Sequence, residues 1–265
     1  MDSTAKLPIQ FVNKEGRQDA EDTIIRELTL TIVLNERELV TLLCSPMNLE
    51  YLAVGFLFSE GLIQREDAIE KIIVDNEKGI VRIETVVKEL PLECSPKRLI
   101  TSGGGRSLAN DVTTNTQEKV KIDSQITVTD LEIFALAEAL QSYSLTYKAT
   151  GGVHSAALCD TKRILVFNED IGRHNAIDKV FGECIINSIS TNDRILIISG
   201  RISSEILFKV IRGNIPILIS KAAPTDFAVK LANDLGVTLI GFVRGQRMNV
   251  YANGWRVITN GRWKS

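Results

Sequence analysis

The chain has 265 residues, 44% of them apolar, and a formal charge of −2 from 31 basic and 33 acidic side chains. That length serves one large domain or two ordinary ones, and the near balance of charge excludes the basic footprint of a non-specific nucleic-acid binder. No apolar run nears the ~20 residues of a membrane span, and Met1 to Gln10 lacks the apolar core of a signal peptide. Cys44, Cys94, Cys159 and Cys184 are widely spaced with no C-x-x-C. Such thiols suit a reducing cytoplasm, the expected location, and neither a disulfide framework nor a zinc knuckle.

Leu28 to Leu34 alternates as a half-buried strand does, and Glu38 to Cys44 reads as its partner across Asn35-Glu36. Asn48 is placed to cap a helix from Leu49 to Glu60, closed by Gly61. A second hairpin is expected from Lys71 to Val74 and Gly79 to Val87. Residues 1 to about 115 thus read as a small α+β domain. Ser102-Gly103-Gly104-Gly105-Arg106-Ser107 follows, either a flexible connection or a nest of backbone N–H groups for an anion. Its glycines predict high mobility over Ser102 to Asn110. Asn110 to Ser124 reads as a linker, and Thr129-Asp130-Leu131-Glu132 as the capping box of a helix reaching Ser142.

From Thr150 strands and helices alternate. Val153 to Asp160 and Arg163 to Phe167 form a hairpin, and His174 to Ile186 a helix with Ala176, Ile177, Val180 and Phe181 on its apolar face. A strand at Arg194 to Ile198, a helix at Ser203 to Ile211 and a strand at Pro216 to Ile219 follow. A helix at Pro224 to Leu235 and closing strands at Val237 to Val243 and Asn249 to Tyr251 complete an α/β sandwich over residues 125–265.

Polar groups gather where strands hand over to the next element. In open α/β sheets that is where ligands bind, helped by helix N-termini that favour anions. His154 follows Thr150-Gly151-Gly152. Asp170, Arg173 and His174 fill one joint, Arg201 the next, Lys221 another, and Phe242-Val243-Arg244-Gly245-Gln246-Arg247 the last. Converging on one sheet edge, Arg173, Arg201, Lys221, Arg244 and Arg247 make a cationic mouth in an acidic chain, suited to a phosphorylated small molecule. Each alone is also an ordinary surface residue. His154 and His174 are candidate acid–base groups or structural hydrogen-bonding residues.

Five ordered motifs resemble the FdhD/NarQ family of formate dehydrogenase accessory proteins. They are Thr150-Gly151-Gly152-Val153-His154-Ser155, Glu169-Asp170-Ile171-Gly172-Arg173-His174-Asn175-Ala176-Ile177-Asp178-Lys179, Ser199-Gly200-Arg201-Ile202-Ser203, Ala222-Ala223-Pro224-Thr225 and Gly241-Phe242-Val243-Arg244. The resemblance implies a sulfurtransferase that passes persulfide sulfur from a cysteine desulfurase to the bis-molybdopterin guanine dinucleotide cofactor of a molybdenum or tungsten formate dehydrogenase. It also implies transient binding of that cofactor by the joint residues above, a homodimer, and a fold similar to cytidine deaminases. The deaminase Glu is absent from His174-Asn175-Ala176, and no cysteine lies near Arg201 to Lys209, so no metal is expected at His174.

The family's C-G-x-C loop corresponds to Thr101-Ser102-Gly103-Gly104-Gly105-Arg106, which has no cysteine. A sulfur carrier needs a thiolate, and Cys94 is the nearest. Two readings therefore stand side by side. One is a sulfurtransferase using Cys94; the other is a non-enzymatic chaperone that holds the cofactor or the dehydrogenase. A hydrolase built on His174 and Asp170 ranks below both.

Overall fold

A computed structural model of the chain describes residues 2–63, 69–86, 98–100 and 121–259. Two strands missing from the sequence reading come first. β1 (Thr4–Asn13) and β2 (Gly16–Ile25) pair antiparallel as a two-stranded ribbon. Pro8 and the acidic run around Asp19 and Glu21 hide their period.

β3 (Leu28–Leu34), β4 (Arg37–Cys44), β5 (Ile69–Asp75), β6 (Ile80–Thr85) and β7 (Arg98–Ile100) form a sheet ordered β5-β6-β3-β4-β7. α1 (Leu49–Ser59) covers it, and Leu30, Ile32, Leu42, Leu52 and Leu57 share one core. Asn48 does not cap α1 as expected. It sits in the left-handed region with φ 53° and makes no side-chain cap bond. Its amide instead donates to Asn168 Oδ1 at 2.7 Å, a partner 120 residues away.

β8 (Val128–Thr129), α2 (Asp130–Tyr143) and α3 (Leu145–Thr150) lead into the second half. The capping box at Thr129 and Glu132 is formed. β9 (His154–Cys159) and β10 (Ile164–Asp170) make the expected hairpin, with β10 running three residues further than its apolar run suggests. α4 (Arg173–Ile186), β11 (Ile195–Ile198), α5 (Ser204–Arg212), β12 (Ile217–Ser220), α6 (Asp226–Leu235), β13 (Thr238–Arg244) and β14 (Arg247–Ala252) follow, and β15 (Val257–Ile258) pairs with β8. The sheet runs β10-β9-β11-β12-β13-β14, parallel only at β11-β12-β13. α4, α5 and α6 pack on one face and α2 on the other, so the strands are buried on both sides. The expected α/β sandwich with a preceding α+β unit is the architecture observed. The glycine loop Ser102–Gly105 and most of the linker lie outside the described residues.

α1 and α4 join the halves. At Gly55 an added Cβ would overlap the backbone of Asp178, and at Gly182 that of Tyr51. Each helix thus presents a glycine to the other's main chain, which only hydrogen side chains permit. Gly55→Ala and Gly182→Ala are each expected to cost about 2–3 kcal/mol or more, because backbone on both sides must move. Urea unfolding is the measurement, with Lys230→Ala, at an exposed position of α6, as a control expected within about 0.5 kcal/mol of the parent.

Candidate functional site

The joints do meet on one sheet edge. Asp170 pairs with His154, and Ile198 of β11 pairs with Ala156, which brings Ser199 and Gly200 level with His154. Ile219 pairs with Ile240, so Lys221 and Phe242 leave the same edge two strands further on. Backbone bonds lock neighbouring joints together, Ile202 N–H to Ala223 O at 3.0 Å and Thr225 N–H to Ile202 O at 2.9 Å.

The cations do not form one mouth. At the β10–β9–β11 end, His154, Arg173, His174 and Arg201 cluster with Glu205. A Cβ on Gly200 would come to 3.0 Å from Arg173 Cβ and 3.4 Å from His154 Nδ1, so the glycine gives both side chains their place. Burial, then the charge of Arg201, draws the Arg173 guanidinium below its usual range. His154, in reach of Ser199 Oγ at 3.4 Å, is likewise lowered by burial and by Arg173. His174 is pushed down to about 3 by burial and by Lys209, Arg173 and His154. Its Nε2 lies 3.5 Å from Glu205 Oε2 without a hydrogen bond, so this is a neutral imidazole beside a carboxylate. At neutral pH the positive charge here is guanidinium, and each neutral imidazole carries one donor and one acceptor nitrogen. The N-terminus of α4 opens into this group without a side-chain cap.

Lys221 leaves the edge on the other face, where its ammonium donates to Gln141 Oε1 of α2 at 3.0 Å. The third group is the β13–β14 turn. Phe242 holds the left-handed region with φ 54° inside a bulge, pinned by its N–H to Ala222 O at 3.2 Å. A bulky residue in that conformation is strained, and such strain concentrates at ligand sites. Phe242 is 37% exposed, and the Arg244 guanidinium stands 6.0 Å from its ring centre. Gly245, Gln246 and Arg247 are exposed at the tip, whereas the Val243 side chain is buried in the core and offers a ligand only its backbone.

Asp170 needs correction as a ligand-holding residue. It is fully buried with both oxygens engaged. Oδ1 accepts from Gly172 N–H and Asn175 Nδ2, both at 2.8 Å. Oδ2 accepts from Ser45 N–H and Oγ at 3.0 Å and pairs with Lys179 at 2.7 Å. Its role is to fix the turn that aims Arg173 and His174. Sequence reasoning missed Ser45, Lys179 and Glu169, whose carboxylate accepts from Thr146 and Tyr147 N–H and sets the start of α3. Charge inside the joint motif was the available signal, but it reads equally as solvent-facing.

Cys44, Cys159 and Cys184 are buried free thiols, and burial pushes each up to about 12. Cys94 lies outside the described residues. Among the described residues, no group of His, Cys, Asp and Glu is arranged to hold a metal ion. No described helix is long and apolar enough to cross a membrane.

A buried turn aiming basic and imidazole groups along the edge of a mixed sheet defines an α/β protein with a partly cationic sheet edge. The family model for FdhD/NarQ matches residues 25–258, and the chain belongs to that family. The sulfur carrier protein FdhD of Bacillus subtilis (strain 168) is 43% identical over 242 residues, 89% of this chain and 91% of that protein. The protein of the same name from Staphylococcus aureus (strain JH9) is 42% identical over 239 residues, 89% and 90% of the two chains. A crystal structure of a protein described as a formate dehydrogenase accessory protein, from Desulfotalea psychrophila, superposes with a TM-score of 0.80 at 25% identity, covering 97% of this chain and all of that one.

Two outcomes are expected. In a thiol titration of the native protein at neutral pH, Cys44, Cys159 and Cys184 stay unreactive until denaturant is added, because thiols near 12 are almost wholly protonated as well as inaccessible. For His174, the folded-state value lies below the unfolded one near 6.5, so the unfolded chain binds the extra proton. Its contribution to stability is complete above pH ~6.5 and is lost on acidification towards about 3, with a slope of up to about 1.4 kcal/mol per pH unit. His174→Gln should flatten that limb in unfolding curves taken between pH 7 and 4.

Proposed function

We propose that this chain is a formate dehydrogenase accessory protein that delivers sulfur to the bis-molybdopterin guanine dinucleotide cofactor, its cargo. The observation that carries the reading is 42–43% identity, over 89% of the chain, to proteins named sulfur carrier protein FdhD. In this reading it works as a homodimer in the cytoplasm and receives sulfur from a cysteine desulfurase. The edge geometry supports an elongated anionic cargo. From the His154–Arg173 group on β9 and β10 to the Phe242 turn on β13 the edge crosses β11 and β12, three interstrand steps or about 14 Å. A pterin joined to a nucleotide by pyrophosphate extends over that length, and a mononucleotide does not. The Phe242 ring suits stacking on a base, with Arg244 and Arg247 beside it for phosphate.

Sulfur carriage falls to Cys94, since the other three thiols are buried and protonated. Its thiolate attacks the outer sulfur of the donor's persulfide. The donor's S–S bond breaks, the donor cysteine leaves as thiolate, and Cys94 retains the sulfur as a persulfide. The cysteine-free loop Thr101–Arg106 favours a second reading, a chaperone that holds the cargo and carries no sulfur.

Complementation separates the two. Introduced into a host lacking its own accessory protein, the chain should restore formate dehydrogenase activity, and Cys94→Ala should abolish it. Restoration by Cys94→Ala establishes the chaperone, and no restoration by the wild type sinks both. In calorimetric titrations GDP should bind better than GMP or guanosine. Arg244→Ala should weaken GDP about tenfold or more, one decade being roughly 1.4 kcal/mol. Arg17→Ala, beside the turn of the ribbon, should leave GDP binding unchanged.

A further inference from the structure

We infer that the homodimer of the preceding reading is made by the apolar face of the N-terminal ribbon packing on the same face of a second copy. The inference rests on that reading for the dimer and adds the surface. In the antiparallel register Ala5 faces Ile24, Leu7 faces Asp22, Ile9 faces Ala20, and Phe11 faces Gln18. Directly paired residues share a side of the sheet, so six of these eight positions form one apolar strip. The opposite side carries Lys6 with Glu21 at 3.2 Å, Gln10 with Asp19, and Arg17, alongside Pro8, Val12 and Ile25. The ribbon is therefore amphipathic, yet Leu7, Phe11 and Ile24 stay 47%, 46% and 38% exposed. The two larger sheets cover their apolar faces with helices. A lone two-stranded ribbon is marginal in water, and an apolar strip of this kind marks an interface.

Over its three central layers the pattern is self-complementary, while the Ala5–Ile24 layer falls opposite the turn end at Asn13 and Gly16. A two-fold axis crossing the ribbon at the Ile9–Ala20 pair, in the plane of the contact, reverses the order of the layers. Leu7 then meets the partner subunit's Phe11, and Ile9 meets its own copy. Asp22, the single charge on the strip, meets the amide of the partner subunit's Gln18, and symmetry makes that contact twice. The alternative, pairing β2 edge to edge about Ala20, sets Asp19 against the partner subunit's Glu21, two like charges, while Pro8 removes a donor from the β1 edge. The ribbon also roots at the site. Ile25 packs against Gly152, where an added Cβ would come to 2.7 Å of its side chain, two residues before His154. Dimerisation through the ribbon would thus brace the lip of the His154–Arg173 group.

The test uses the full chain. Sedimentation analysis should find the wild type dimeric at micromolar concentration. Phe11→Asp should raise the dimer dissociation constant about a hundredfold or more, since a charge enters the apolar contact twice. Val12→Asp, at a residue 62% exposed on the opposite side, should change nothing. In a Cys94→Ala background a short bis-maleimide should cross-link Ile9→Cys between chains and fail with Val12→Cys, which keeps the test valid if Phe11→Asp misfolds. A dimer indifferent to Phe11→Asp, with no Ile9→Cys cross-link, overturns the surface assignment and leaves the homodimer standing. A monomeric wild type overturns both. A monomer in which Phe11→Asp also blocks formate dehydrogenase activation assigns the strip to the dehydrogenase instead.

Discussion

The ion pair between Asp170 and Lys179 is the constraint on which the site depends. Both side chains are fully buried, and they meet at 2.7 Å. Taking two charges out of water costs several kcal/mol each, and attraction alone does not repay it. Here the remaining hydrogen-bonding capacity is used as well. Asp170 accepts from Gly172, Asn175 and Ser45, and Lys179 donates to Ser45 Oγ at 3.2 Å and Glu169 O at 3.3 Å. Removing either partner strands the other charge, a loss of about 3–5 kcal/mol. A pair so costly to break does more than stabilise. It holds the strand-to-helix turn in one conformation, and that turn aims Arg173 and His174.

Ser45 comes from the end of β4, so the turn is clamped by the other half of the chain. Asn175 extends the clamp by donating to Leu43 O at 2.9 Å. Further along α4, Asp178 accepts from Ser59 of α1 at 2.6 Å and pairs with Lys209 of α5. The glycine crossing at Gly55 and Gly182 lets the two helix backbones approach closely enough for these contacts. Burial pushes the Asp178 carboxyl up, against the pull of Lys209 and Ser59, and the same Lys209 lowers His174. The electrostatics of the candidate site are thus set partly by a helix contact outside it.

Strands, helices and the shared edge were legible in the sequence because each rests on short-range signals. The Thr129–Glu132 capping box spans four residues, and it forms. Asn48 carries an equally good local signal and fails, because its backbone is left-handed and its Nδ2 is drawn to Asn168 from across the fold. The same distance hid the role of Asp170. A carboxylate in a polar joint looks solvent-facing until Ser45, 125 residues earlier in the chain, is seen beside it. The ribbon went unread for a different reason. Pro8 demotes its run as a strand, and Gln18 and Asp22 break the apolar period of the partner strand. The five cations were correctly placed on one edge, but a sequence does not say which face of the sheet a side chain takes on leaving it. Lys221 turned towards α2.

What the fold keeps apart is as informative as what it gathers. A sulfur-carrying thiol must be exposed and partly ionised. Cys44, Cys159 and Cys184 sit in three different core clusters, where burial favours the thiol form. The described body is therefore suited to holding an anion and unsuited to storing sulfur. Guanidinium groups bind an anion without titrating at physiological pH, whereas thiolate chemistry is sensitive to every nearby charge. A reactive cysteine packed among Arg173, Arg201 and the two imidazoles would have its pKa set by whichever ligand was bound. Under the proposed sulfur carriage by Cys94, cargo affinity and sulfur reactivity would be set by different residues.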